Sequence, residues 1–144
     1  MCMSSAPLTF REATADDAAT VIALWQAAGL TRPWNDPDSD FAKALAHPTA
    51  RVLVAERLGG VPGTVMVGYD GHRGWLYYLA VAPGAQRQGI GQRLVRAAEH
   101  WLTQQGCPKV MLMVRSDNAA VAAFYQSLGY DAQAVTTFGR RLDG

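Results

Sequence analysis

Gln86-Arg87-Gln88-Gly89-Ile90-Gly91 lies between an apolar run ending at Val81 and a helical stripe beginning at Ile90. The stripe is Ile90, Leu94, Ala97, Ala98, Trp101 and Leu102, with Gly106 and Pro108 as its stop. A helix opening on glycines offers amides that lack internal partners, and its dipole adds partial positive charge there. Glycine removes the side chains that would keep a phosphate from the backbone. Strand, glycine turn and helix together read as an anion cradle.

Three readings of the turn compete. A dinucleotide fold would place a third glycine at position 94, which is Leu94, and would be preceded by βαβ units rather than hairpins. A nucleotide P-loop requires Gly-Lys-Ser/Thr, which is absent. A ligand-free tight turn is the third.

Outward from the turn, elements alternate. Three strand-like runs precede it, Arg51 to Glu56, Val61 to Tyr69 and Trp75 to Val81. Gly59-Gly60 and the turn from Asp70 to Gly74 separate them, so consecutive hairpins are predicted. Further back, Leu8 to Arg11 alternates as a short strand. Thr14, with Asp17 three residues on, caps a helix whose apolar face is Val21, Ile22, Trp25 and Ala28, stopped at Gly29. A turn-rich loop from Thr31 to Asp38 leads to a second helix around Phe41 and Leu45, closed by His47-Pro48.

After the long helix, Val110 to Val114 reads as a strand buried on both faces. Asp117 or Asn118 caps a last helix burying Val121, Phe124, Tyr125 and Leu128, and the tail to Leu142 has room for two short strands. The order is βααβββαβαβ with space for one more strand, a mixed α/β domain.

Bulk properties agree with one compact domain over residues 1–144, with 1–7 a flexible N-terminus. The chain has 144 residues, 49% hydrophobic and 17% charged, and a net charge of +1. That balance gives no reason to expect nucleic acid as a partner. No apolar run approaches a membrane span, and residues 1–7 carry no signal core, so the cytoplasm is the expected location. Cys2 and Cys107 have neither disulfide-framework nor zinc spacing, and no metal site is expected.

Leu79-Ala-Val-Ala-Pro-Gly-Ala-Gln-Arg-Gln-Gly-Ile-Gly-Gln-Arg-Leu94, followed at the expected distance by Asn118 to Tyr130, resembles the two signature blocks of the GNAT acetyltransferases. Arg32-Pro-Trp-Asn-Asp-Pro37 and Gly68-Tyr-Asp-Gly-His-Arg-Gly74 further resemble a small bacterial subgroup called YpeA. The resemblance implies a mostly antiparallel, splayed central sheet of six to seven strands flanked by about four helices. It also implies transfer of an acetyl group from acetyl-CoA to a primary amine by direct attack, with acetyl-CoA as cosubstrate. Relatives often dimerise, so a homodimer is open.

By resemblance, Leu79, Ala80 and Val81 would pair with the pantetheine arm where the sheet splays, one amide facing the thioester oxygen. The amides of Arg87, Gln88, Gly89, Ile90, Gly91 and Gln92, following Gln86, would hold the pyrophosphate, with positive charge from Arg87, Arg93 and Arg96. Asn118 matches a pantetheine contact and is equally a helix cap. Tyr125 matches the tyrosine that protonates the departing thiolate, and also lies on its helix's apolar stripe.

The position of the catalytic glutamate of some relatives is Met113, which cannot take a proton. Tyr77, Tyr78, Glu56, Asp70 and His72 are the alternatives, together with a water chain. Trp34, Asn35, Asp36 and Tyr77 are candidate acceptor-site residues, with Asp38 beside them; Asn35 to Asp38 also reads as a turn and helix cap. A non-catalytic acyl-CoA-binding module is the competing reading, supported by Met113.

Overall fold

The computed structural model describes residues 6–143. Cys2 and most of the expected flexible N-terminus (1–5) lie outside the described residues. Two compact units divide between Met113 and Val114.

The first unit runs β1 (Thr9–Glu12), α1 (Ala18–Ala27), α2 (Pro37–Ala46), β2 (Ala50–Arg57), β3 (Gly60–Tyr69), β4 (Gly74–Val81), α3 (Ile90–Gln104) and β5 (Val110–Leu112). Its sheet is ordered β1-β2-β3-β4-β5. The first four strands pair antiparallel, and β5 joins β4 in parallel. The predicted hairpins form, because Gly59 and Gly71 take the left-handed φ values (77° and 93°) that the two turns require.

Alternation sorts the strands' side chains between two helical layers. Val52, Val54 and Ala80 pack with Val21, Ile22, Leu24, Trp25, Phe41 and Ala44 of α1 and α2. The other face receives α3. A Cβ at Gly63 would lie 2.9 Å from both Ile90 Cγ2 and Leu94 Cδ1, and one at Gly74 would lie 2.7 Å from Leu102. These two glycines let α3 sit close to β3 and β4, which fixes where its first turn falls. Cys107, whose Sγ donates to Lys109 O at 3.3 Å, packs beside Gly74 as a small residue.

At the start of the unit, Asp17 accepts from the Thr14 amide at 2.7 Å, closing the predicted cap around a short 3-10 turn. Its two oxygens also receive Arg11 at 2.9 and 3.0 Å, and Arg11 reaches Glu56 as well.

The second unit contains α4 (Ala119–Ser127), capped by Asn118 and ended at Gly129 in the left-handed region. Two expectations fail. The sheet has five strands among the described residues, not six to seven, because residues 131–143 form none. Val135, Phe138 and Leu142 stay 72%, 91% and 93% exposed, and a strand without a partner or a buried face gains too little to offset its ordering. The fifth strand is also shorter than 110–114 and only half-buried, since its pairing with β4 stops at Leu112.

Candidate active site

The site begins where β4 leaves its neighbour. Gly74, Trp75 and Leu76 pair with Val110, Met111 and Leu112, and from Tyr77 to Val81 that edge of β4 has no strand partner among the described residues. On the other side, β4 pairs with β3 as Tyr77 with Met66 and then Ala80 with Thr64. Two residues, Tyr78 and Leu79, therefore stand opposite Val65 alone: a β-bulge, with Tyr78 at φ 54°. Bulge and lost pairing thus fall together just before Leu79, Ala80 and Val81, and a strand edge without a ladder partner is the kind of edge to which an extended chain can add.

The strand runs on through a 3-10 turn at Pro83–Ala85 into the glycine turn. Arg87 (φ 65°) and Gly89 (φ 76°) are both left-handed, so the chain turns sharply just before α3. Gly89 is the N-cap of α3 and has no side chain to cap it. The first intrahelical bond is Arg93 N–H to Gly89 O at 3.1 Å, so the amides of Ile90, Gly91 and Gln92 precede it. Gln88 is held from across the fold by Arg57, whose Nη1 donates to its Oε1 at 2.7 Å. Arg57 Nε is buried without a partner among the described residues. Arg57 escaped the sequence reading, because nothing in a hairpin end predicts which loop it meets.

The other arginines differ. Arg87 makes no polar contact among the described residues, whereas Arg93 lies over the Phe10 ring at 4.9 Å and Arg96 pairs with Glu99 at 2.8 Å.

On the helical side of the bulge, the Tyr78 ring stacks on Trp25 (4.0 Å between centroids, 13° between planes) and its hydroxyl donates to Asp40 Oδ2 at 2.8 Å. Burial first, then this bond to a carboxylate, pushes the Tyr78 phenol up to about 12. Asp40 was not anticipated; its pairing with a residue 38 positions away leaves no local signal.

The expected acceptor residues are less concentrated. Trp34 is 57% exposed, and Asp36 caps α2 by accepting from the Asp38 amide at 3.1 Å. Asn35 donates its backbone N–H to Arg32 O at 3.0 Å in the loop before α2. Tyr77 lines an open groove with Trp75, Tyr69 and His47. Asp70, on the same groove, accepts from the Arg73 and His72 amides and from Trp75 Nε1, and those bonds hold its carboxyl below the usual range. That engagement, and the place of His72 in the same turn, leave neither aimed at the bulge. Glu56 is bound to Arg11.

In the second unit, Asn118 Oδ1 accepts from the Val121 amide at 3.1 Å, and the side-chain amide makes no hydrogen bond among the described residues. Tyr125 is buried against Phe124 and Tyr130 in edge-on contacts at 5.1 and 5.6 Å. Burial pushes its phenol up to about 12, and its hydroxyl has no partner among the described residues. Met113, at the end of the first unit, is 58% exposed.

A parallel pair that ends early, a bulge in β4 and an amide-lined helix start are accompanied by matches to known proteins. The model of the acetyltransferase (GNAT) family matches residues 19–130. The chain belongs to the GNAT acetyltransferase family. An acetyltransferase of Pectobacterium atrosepticum is 47% identical over 127 residues, 88% of this chain and 90% of the relative. One from Sodalis glossinidius is 48% identical over 128 residues, with the same coverage of each. Among solved structures, aminoglycoside N-acetyltransferase AAC(6')-Iy in complex with CoA has the same fold, with TM-score 0.82 at 17% identity, over 96% of this chain and 97% of that one. The GNAT fold anticipated from the two sequence blocks is thus the observed one, with the strand count corrected.

Among the described residues, no helix of this GNAT chain is long and apolar enough to cross a membrane.

Proposed function

We propose that the chain binds acetyl-CoA along the open edge of β4 and transfers its acetyl group to a primary amine. The observation that carries this is the loss of β4–β5 pairing after Leu76 and Leu112, coincident with the Tyr78–Leu79 bulge and leading into the glycine turn. Family membership supports the reaction class, and the CoA complex of AAC(6')-Iy, a protein of the same fold, supports the cosubstrate.

In this reading the pantetheine arm adds to the sheet beside Leu79, Ala80 and Val81, as an extended peptide would. The amides from Arg87 to Gln92 take the pyrophosphate, Gln86 opens that turn, and Arg87 supplies positive charge. Asn118, already a helix cap, has its side-chain amide left to donate to the pantetheine arm. The amine loses its proton to a water chain leading to bulk solvent and attacks the thioester carbonyl; the C–N bond forms, the C–S bond breaks and the sulfur leaves with the electron pair. A backbone amide at the bulge steadies the oxyanion, and Tyr125 returns a proton to the thiolate. The high phenol pKa keeps Tyr125 protonated through the neutral range. Trp34, Asn35, Asp36 and Tyr77 are the residues we assign to the acceptor side, and the whole chain acts as one GNAT domain.

A CoA-release assay over a panel of primary amines (amino acids, polyamines, aminoglycosides, peptide N-termini and lysines) tests it, with the product's mass read afterwards. An increase of one acetyl group on an amine is the expected result. Acetyl-CoA binding without release toward any amine would instead support a non-catalytic binding module, consistent with exposed Met113 in place of a carboxylate.

A further inference from the structure

We propose that Asp40 and Trp25 are positioning residues of the acyl-CoA site, acting through Tyr78 to hold the β4 bulge; this rests on the acetyl-CoA reading above. Tyr78 occupies a left-handed conformation (φ 54°) that a side chain-bearing residue rarely adopts. Glycine would enter that region freely, but it could not reach two helices.

Tyr78 reaches both. Its ring lies flat on Trp25, which is wholly buried and itself set edge-on against Phe41 at 6.2 Å. Its hydroxyl ends on Asp40, in the first turn of α2, where the Asp40 amide is bonded to Asp36 O at 2.9 Å. One residue of β4 is therefore gripped by α1 and α2 at the position where the strand carries its extra residue.

The consequence lies downstream in the strand. Removing the bulge would shift the register by one and turn every later side chain to the other face. Ala80, only 2% exposed and packed in the cluster with Trp25, would leave the core. Leu79, Ala80 and Val81 would then present different backbone groups at the opening. The grip on Tyr78 selects the register in which the open edge faces the ligand.

Asp40 could instead act as a proton acceptor for the amine, and side-chain substitutions separate the two roles. Asparagine keeps an oxygen for the Tyr78 hydroxyl and removes the basic carboxylate, while alanine removes both. Calorimetric titration of the full chain with acetyl-CoA is the test, on wild type, Asp40→Asn, Asp40→Ala, Tyr78→Phe and the Asp40→Ala/Tyr78→Phe double variant. Asp40→Ala and Tyr78→Phe should weaken binding equally, on the order of five- to tenfold, the scale of one lost hydrogen bond. The double variant should be no weaker than either single one. Asp40→Asn should bind like wild type and keep the wild-type pH profile of turnover. Tyr78→Phe retains the ring stack, so it carries the test if Asp40→Ala does not fold.

Wild-type affinity in both Asp40→Ala and Tyr78→Phe would overturn the positioning role while leaving the acetyl-CoA reading intact. Unaltered affinity in Asp40→Asn with lost turnover and a shifted pH profile would make Asp40 a proton acceptor and overturn it equally. A folded wild-type protein that does not bind acetyl-CoA would overturn the underlying reading and this inference with it.

Discussion

Arg57, at the end of β2, donates to the side chain of Gln88 in the glycine turn at 2.7 Å. A hairpin 31 residues upstream thereby fixes the loop to which we assign the pyrophosphate, and brings a cation beside it. Arg57→Ala should lower acetyl-CoA affinity by roughly three- to tenfold, the worth of one solvent-exposed hydrogen bond. Calorimetry on wild type and variant checks this, and unchanged affinity would confine Arg57 to the hairpin.

Gly63 and Gly74 set the approach of α3 to the sheet. A valine at either must displace Ile90 and Leu94, or Leu102. Gly63→Val should cost about 1–3 kcal/mol of stability, as overpacking does. It should also weaken acetyl-CoA binding, because α3 carries the amides of Ile90 to Gln92. Urea unfolding and titration together measure the two effects.

Tyr125→Phe should reduce turnover by roughly 100- to 10,000-fold while leaving acetyl-CoA affinity near wild type, the signature of a lost proton donor. The phenol is raised to about 12, so its ionisation should impose no alkaline fall in rate until the pH approaches that value. A steady-state pH profile, with dissociation constants measured alongside, checks both statements.

Asp17 should contribute an acid-sensitive part of stability. Arg11 first, then the Thr14 amide, hold its carboxyl near 2 against an ordinary 3.8. The folded value is the lower one, so the contribution is complete above about pH 4 and is lost as pH falls from 3.8 through 2. Arg11 is partly exposed, and screening limits the amount to about 1 kcal/mol. Urea midpoints measured between pH 6 and pH 2 should fall less steeply in Asp17→Asn than in wild type.

The readable parts of this fold were those with local causes. Gly89 and Gly59 stand where left-handed backbone is required, Asp36 and Asn118 where helices need caps, and the stripe of α3 repeats at helical spacing. The bulge was hidden because Tyr78 looks like any residue of an aromatic strand; its left-handed conformation depends on Trp25 and Asp40, which only the folded chain brings to it. Arg57 and Asp40 were hidden for the same reason. The tail departs from expectation: room for two short strands up to Leu142 does not supply a partner edge, and Val135, Phe138 and Leu142 stay exposed. Of the candidate site, the glycine turn is legible from backbone demands, whereas the contacts of Tyr78 with Trp25 and Asp40 join segments far apart in the sequence and leave no local signal.

The central claim is that the open edge of β4 and the glycine turn form an acyl-CoA site. Side-by-side calorimetric titration of the protein with acetyl-CoA and with NAD tests it most directly. Saturable one-to-one binding of acetyl-CoA, with no heat from NAD, is the predicted result. Saturable binding of NAD, or no binding of acetyl-CoA by the folded protein, would contradict it.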